Sequence, residues 1–209
     1  MSRNQTDAFK SALDQAISSF GIEKPTEEQI TQLVRHYSML CRWNQRLNLT
    51  RITEPREAAR LHYAESLLGA RFIAGERTLL DIGSGAGFPA IPLAVTRPEV
   101  QVTALEANQK KSVFLKEAKD ELGLVNLVVV TARLEEFDWS GYELLTSRAL
   151  DRAEVVLPAV IQRLGRRQRL MLYCGPDMVA LLERKVKCKI ETHPIPHTEA
   201  RLIAVFARE

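Results

Sequence analysis

The sequence predicts an α/β fold: a mostly parallel, Rossmann-like sheet of seven strands with an antiparallel last strand, preceded by a helical cap. Three observations carry this. From residue 76 onward, short apolar runs alternate with helical stretches, as in a parallel sheet covered on both faces. The last two runs have no room for a helix between them, so they form a hairpin. Residues 1–75 show helical periodicity alone. The boundaries drawn on this pattern are 1–75 for the N-terminal helical cap and 76–209 for the Rossmann-like domain.

In the cap, a first amphipathic helix spans about residues 9–20 and stops at Gly21. The second starts at Thr26, with Gln29 three residues on to complete a capping box. Behind it Ile30, Leu33, Val34, Tyr37, Leu40 and Trp43 recur at helical spacing. A third helix is expected over residues 62–72. Strands are expected at residues 78–82, 100–105, 127–131, 142–146, 170–173, 190–195 and 202–206. Helices at residues 91–96, 110–122, 153–164 and 178–185 lie between consecutive strands among the first six, except between the third and fourth. Right-handed crossovers then make the sheet doubly wound.

Composition excludes several classes. The 209 residues hold 29 Lys+Arg against 26 Asp+Glu and are 45% hydrophobic, so the chain is not disordered. Three Cys at long spacing suggest neither a disulfide framework nor a zinc knuckle. The amino terminus lacks an apolar signal core, and no apolar run reaches the roughly 18 residues of a membrane helix. The expectation is a cytoplasmic protein with no membrane partner and no metal. Charge is uneven along the chain. Residues 1–75 carry a net +2, residues 76–162 a net −4 and residues 163–209 a net +5. An acidic centre between basic flanks points to a phosphate-tracking surface. Candidates are Arg35, Arg42, Arg46, Arg51, Arg56 and Arg60, then Arg163, Arg166, Arg167 and Arg169, then Arg184, Lys185, Lys187 and Lys189.

Asp81-Ile82-Gly83-Ser84-Gly85-Ala86-Gly87-Phe88-Pro89 follows the first strand and opens a helix. Such sheets place their ligand crevice at this carboxyl end. The dinucleotide fingerprint wants Gly or Ala at its sixth position, where this chain has Phe88. No Lys-Ser/Thr follows, which excludes a P-loop. The D-x-G-x-G-x-G form suits S-adenosylmethionine better than a pyrophosphate. A nicotinamide site and a ligand-free tight turn remain the other readings. Glu106, 23 residues past Gly83, ends the second strand, where an acid accepts hydrogen bonds from a ribose diol. Ala107 and Asn108 follow it, and Leu134-Glu135 stand at the third strand's end. Arg148 closes Thr146-Ser147-Arg148 at the fourth. It stays protonated and cannot act as a base, but it can grip a carboxylate, a phosphate or a guanine edge. Trp43 reads as a core anchor, His62 as a packing or capping group, and Lys110, Lys111, Lys116 and Lys119 as solubilising charges.

These residues together resemble the bacterial 16S rRNA guanine-N7 methyltransferases, the glucose-inhibited division protein B family. The resemblance runs over nearly all of the chain. It rests on Trp43-Asn44-Gln45-Arg46-Leu47-Asn48-Leu49-Thr50, on His62-Tyr63-Ala64-Glu65-Ser66-Leu67, on the glycine turn, on Leu134-Glu135-Glu136-Phe137 and on Ser147-Arg148-Ala149. It implies a class I methyltransferase fold, S-adenosylmethionine as cofactor, and methylation of a guanine N7 in a decoding-region hairpin of the small ribosomal subunit, by a monomer. It also implies cofactor contacts at Gly83, Gly85, Phe88, Glu106, Ala107, Asn108, Leu134 and Glu135, with Arg148 as cofactor contact and catalytic residue at the methyl-donor end. This sequence has Glu65 where the family pattern has Asp, Ala90 where it has Gly, and Cys174 where it has Lys. The alternative is a small-molecule methyltransferase, which would share the glycine turn and Glu106. A nicotinamide-dependent reductase and a non-catalytic RNA-binding module are further rivals.

Overall fold

Capping chemistry sets where the cap helices begin and end. The computed structural model describes residues 3–198 and 200–208. Helix α1 (Arg3–Ser19) is followed by α2 (Glu27–Leu47), which starts at the expected capping box. Thr26 Oγ1 accepts from the Gln29 N–H, and the Gln29 side chain accepts from the Thr26 N–H. The buried stripe of α2 holds Ile30, Leu33, Tyr37 and Leu40. The helix stops at Asn48, whose left-handed backbone ends the turn.

The third cap segment starts earlier than its apolar pattern indicates. Helix α3 (Pro55–Ala58) is capped by Glu54, whose carboxylate accepts from the Glu57 N–H at 2.8 Å. It runs on through a π-helical turn (Ala59–Ala64), α4 (Glu65–Leu68) and a 3-10 turn (Gly69–Phe72). Its first turn is polar, so no hydrophobic periodicity announces it.

The seven strands are β1 (Thr78–Ile82), β2 (Gln101–Leu105), β3 (Leu127–Val130), β4 (Leu144–Arg148), β5 (Arg169–Cys174), β6 (Lys189–Pro194) and β7 (Leu202–Ala207). Their order is β3-β2-β1-β4-β5-β7-β6. Strands β1 to β5 are parallel, and β7 runs antiparallel to both of its neighbours. The hairpin therefore turns back so that the last strand lies inside the sheet and β6 forms the edge. Helices α5 (Ala90–Thr96), α6 (Gln109–Leu122), α7 (Ala153–Arg163) and α8 (Pro176–Lys185) connect the strands.

Strand β4 sits two residues later than its apolar run suggests. Tyr142 is held outside it: its hydroxyl donates to Thr103 Oγ1, and its carbonyl accepts from Gln168. Ser147 and Arg148 are thus strand residues, paired with Ile82 and Tyr173.

Side chains alternate between two faces. Leu80, Ile82, Leu145, Leu170 and Leu172 pack under α7 and α8. Leu79, Leu144, Met171 and Tyr173 join a core that continues into Phe9, Leu33, Tyr37 and Tyr63 of the cap. Asp81, Thr146 and Arg148 share the parity of Leu79 and Leu144, so they also face the cap. Gly69 admits β5 closely: a Cβ there would lie 1.8 Å from the Tyr173 hydroxyl, which donates to the Ser66 carbonyl at 3.0 Å.

Candidate active site

The parallel strands end around a cleft of about 290 Å³, with Gly83, Glu106, Ala107, Lys111, Leu134, Glu135 and Leu150 among its walls. The glycine turn supplies one wall because its backbone is left-handed at Gly83, Gly85 and Gly87. At Gly83 (φ 73°) an added Cβ would also lie 2.9 Å from Leu150 Cδ1. The N–H groups of Gly83 and Ser84 donate to the Leu105 carbonyl and fasten the turn to β2.

Glu106 is organised by backbone. Its Oε2 accepts from the Gly85 N–H at 2.8 Å and its Oε1 from the Asn108 N–H at 2.7 Å. A carboxylate has about four lone-pair sites, so each oxygen keeps capacity for a ligand hydroxyl. Asn108 itself caps α6, its side chain accepting from the Lys110 and Lys111 N–H groups. That bonding occupies its side chain, and the residue is not part of the cleft wall.

Asp81 lies behind the turn and is fully buried. Neither carboxylate oxygen makes a well-formed hydrogen bond among the described residues, although the Ser84 side chain and the Ala90 N–H lie near it. Burial pushes its pKa up to about 7, against the opposing pull of Ser84, the Ala90 backbone and Arg148. A buried carboxylate so weakly satisfied is suited to a cationic ligand group.

Phe88 and Arg148 do not line the cleft. Phe88 is buried and stacks on His62, with ring centroids 4.6 Å apart and planes 17° apart. Arg148 turns toward the cap, and its side chain is 9% exposed. Its guanidinium donates to the Leu61 carbonyl at 2.6 Å, the His62 carbonyl at 3.4 Å and His62 Nδ1 at 3.2 Å. Glu65, completely buried, lies 3.6 Å from Arg148 and 2.8 Å from Arg201. Burial raises the Glu65 pKa while the arginines oppose the rise. Burial, with Arg148 second, lowers the His62 pKa to about 3, so the ring is neutral.

Sequence reasoning missed three charged residues of the cleft, Lys111, Asp151 and Arg152. Lys111 reads as a solubilising helix charge, but the Asn108 cap begins α6 at the cleft rim. Asp151 and Arg152 belong to a four-residue loop with left-handed backbone at Ala149 and Arg152. Beside the cleft, and sharing Ala149 and Leu150 with it, is an apolar recess of about 250 Å³ containing Leu157, Leu172, Met178 and Cys174. Burial pushes the Cys174 thiol up to about 11, so it remains protonated. A larger hollow of about 710 Å³ includes Arg71 and Arg97, but both guanidinium groups are bound to backbone carbonyls. It lies toward the amino end of β2, away from the strand ends that form the cleft.

The basic candidates divide by topology. Arg163 to Arg169 and Arg184 to Lys189 precede strands and so lie at the amino edge, opposite the cleft. Arg169 is tied to Glu76 and the Phe72 carbonyl. Arg60 instead donates to the His197 carbonyl beyond the carboxyl end of β6, on the cleft edge. Among the described residues, no group of three His, Cys, Asp or Glu is placed to hold a metal.

Comparison with known proteins gives the following. A family model described as GidB, rRNA small subunit methyltransferase G, matches residues 29–195. A Solibacter usitatus protein named Ribosomal RNA small subunit methyltransferase G is 40% identical over 154 residues, covering 72% of each chain. One of the same name from Xanthomonas campestris pv. campestris is 46% identical over 120 residues, covering 57% of this chain and 56% of that one. Among solved structures, a SAM dependent methyltransferase from Aquifex aeolicus superposes with a TM-score of 0.58 at 14% identity. The match covers 81% of this chain and 97% of that one, and it shows a shared fold.

Proposed function

The chain belongs to the rRNA small subunit methyltransferase G family, and we propose that it transfers a methyl group from S-adenosylmethionine to N7 of a guanine in 16S rRNA. The observation that carries the reading is the cleft at the ends of β1 to β3. There the Gly83 turn, Glu106 with open lone pairs, and Leu134-Glu135 converge next to the buried, weakly satisfied Asp81.

When bound, S-adenosylmethionine supplies an electrophilic methyl on sulfur. Its transfer to N7 would leave a neutral thioether and a cationic base. Gly83 and Gly85 let the backbone approach the ligand. Glu106 would receive the ribose diol, with Ala107 beside it, and the Asn108 N–H holds Glu106 in orientation. Leu134 and Glu135 would flank the adenine. Asp81 would pair with the amino group, with Arg148 behind it at the donor end. Phe88 acts through His62 rather than by contact.

N7 of guanine carries an in-plane lone pair and needs no deprotonation. The protein's task is alignment, with reacting atoms held about 3–3.5 Å apart. The base must leave its stack, and the uncharged recess that shares Ala149 and Leu150 with the cleft has apolar walls to receive it. Arg60 on the cleft edge, Arg56 beside it, and Lys111, Arg133 and Arg152 of the cleft wall offer basic charge to RNA phosphates there.

The protein acts as a monomer in the cytoplasm. Supporting this, the exposed large apolar side chains among the described residues are four valines, too little for the apolar core of an obligate interface. No described helix is long and apolar enough to cross a membrane. The test is transfer of labelled methyl to small ribosomal subunits and to naked 16S rRNA, followed by strand cleavage specific for N7-methylguanine. A single cleavage site in 16S rRNA is expected. Label with no such cleavage in either substrate defeats the N7 reading.

A further inference from the structure

The W-N-x-x-x-N-L-T element supplies no wall of the cleft, yet its residues form a chain of contacts that ends at Arg148. Trp43 packs edge-on against Phe114, with centroids 5.8 Å apart. Asn48 ends α2 in left-handed conformation. The Asn44 side chain clamps Thr50 from both sides, donating to its carbonyl at 2.9 Å and accepting from its N–H at 2.8 Å. Thr50 Oγ1 then meets His62 Nε2 at 2.8 Å. His62 Nδ1 faces the Arg148 guanidinium at 3.2 Å.

The proton positions along this chain follow from chemistry. Arginine only donates, so Nδ1 of His62 must accept. The ring is neutral, so its proton sits on Nε2 and is donated to Thr50 Oγ1. That oxygen also accepts from the Ile52 N–H at 3.0 Å. Phe88 stacks on the imidazole and fixes its plane. On the far side of Arg148, Glu65 bridges to Arg201 of β7's approach.

We propose that Thr50, His62 and Glu65 are positioning residues for Arg148, through which the cap sets the charge behind the donor end of the cofactor site. The identity of that site rests on the function proposed above. Arg148 fixes the tautomer, Thr50 anchors the ring through Nε2 so that Nδ1 faces the guanidinium, and Glu65 holds Arg148 from the other side. Without the Thr50 hydroxyl, the buried Nε2–H keeps only the Ile52 backbone as acceptor, at a desolvation cost. The ring is then held less firmly, and the acceptor it presents to Arg148 shifts away.

The charged and titratable groups around this chain are known. Arg148 faces Glu65, Arg201, Tyr173 and Asp81. His62 faces Arg148, Arg201 and His36. Asp81 faces Glu106 and Arg148. Of these, Arg148 is the cation that favours ionised Asp81, so its displacement makes Asp81 harder to ionise.

The experiment compares wild type, Thr50→Val, Thr50→Ala and Thr50→Ser in the full chain. Calorimetry with S-adenosylmethionine from about pH 5 to 8.5 reads the midpoint at which affinity rises. Methyl transfer to small subunits reads kcat and KM, and melting reads the fold. Thr50→Val should move the affinity midpoint to higher pH and cut kcat about tenfold with little change in KM for the subunit. Thr50→Ala should reproduce both effects, and Thr50→Ser should restore both. A valine variant with wild-type midpoint and kcat overturns the proposal, as does a serine variant as impaired as valine. So does a loss confined to melting temperature, which marks Thr50 as merely structural. Wild-type protein that methylates no rRNA overturns the substrate reading alone, because the calorimetric midpoint still decides the positioning claim.

Discussion

Under α7 and α8 the sheet presents Leu80, Ile82, Leu145, Leu170 and Leu172 to Leu157, Val160, Ile161 and Leu182. On the cap side the same strands also present Asp81, Thr146 and Arg148, and the cap answers with His62 and Glu65. The first face is stabilised mainly by apolar burial, with its buried Ser147 and Thr103 hydroxyls in neutral hydrogen bonds. The second takes ionisable groups out of water, where desolvation offsets much of what pairing returns. The contrast separates two uses of one sheet. One face holds the fold, and the other holds charge in place beside the cleft.

The largest expected effect breaks the cap side. Glu65→Ala leaves Arg148 buried without its carboxylate and facing Arg201. A pair broken in this way costs about 4 kcal/mol, read as a fall in denaturant midpoint at constant slope. A change under 1 kcal/mol would mean that the carboxylate is not the ion holding the two arginines. The matching test on the other face is Leu145→Ala. Deleting this fully buried side chain costs about 3 kcal/mol by lost transfer and the cavity left behind. Affinity for S-adenosylmethionine should stay within about twofold of wild type in the folded range. A loss of affinity comparable to the loss in stability would erase the distinction between the faces.

The same contrast explains what the sequence made legible. The face under α7 and α8 comes from apolar runs whose period and spacing show in the chain itself, so the strands were expected within about two residues. The glycine turn and Glu106 were also legible, because their positions along β1 and β2 decide their function. The cap side was not. Arg148 and His62 are 86 residues apart in the chain and meet only through the fold. Glu65 is an acid on a helix, normally a sign of exposure, and nothing local shows that Arg148 at the end of β4 and Arg201 just before β7 will enclose it. Phe88 follows the cofactor turn directly, yet its ring points to the cap, because the helix behind it opens that way. Polarity hid the start of α3, and a hydrogen bond from Tyr142 moved the start of β4.

The smallest effect is the most diagnostic of chemistry on the cap side. Cofactor-free Asp81 has a pKa of about 7, raised from 3.8 mainly by burial. The folded value lies above the unfolded one, so this group's contribution to stability is complete below about pH 4 and is lost as pH rises through 7. Cofactor binding has the opposite dependence. The cationic amino group needs the ionised carboxylate, so below pH 7 each binding event must also release a proton. Affinity should rise up to tenfold per pH unit on approaching pH 7, about 1.4 kcal/mol, and level off above it. His36 and His62, both with pKa values near 3, stay neutral throughout and add nothing to the slope. Asp81→Asn should bind more weakly at pH 8, with an affinity nearly independent of pH, and should flatten the acid side of the cofactor-free stability profile. If the asparagine variant keeps the wild-type slope, the titrating group is not Asp81. The charge on the cap side would then serve the fold, as the apolar face does, rather than the cofactor.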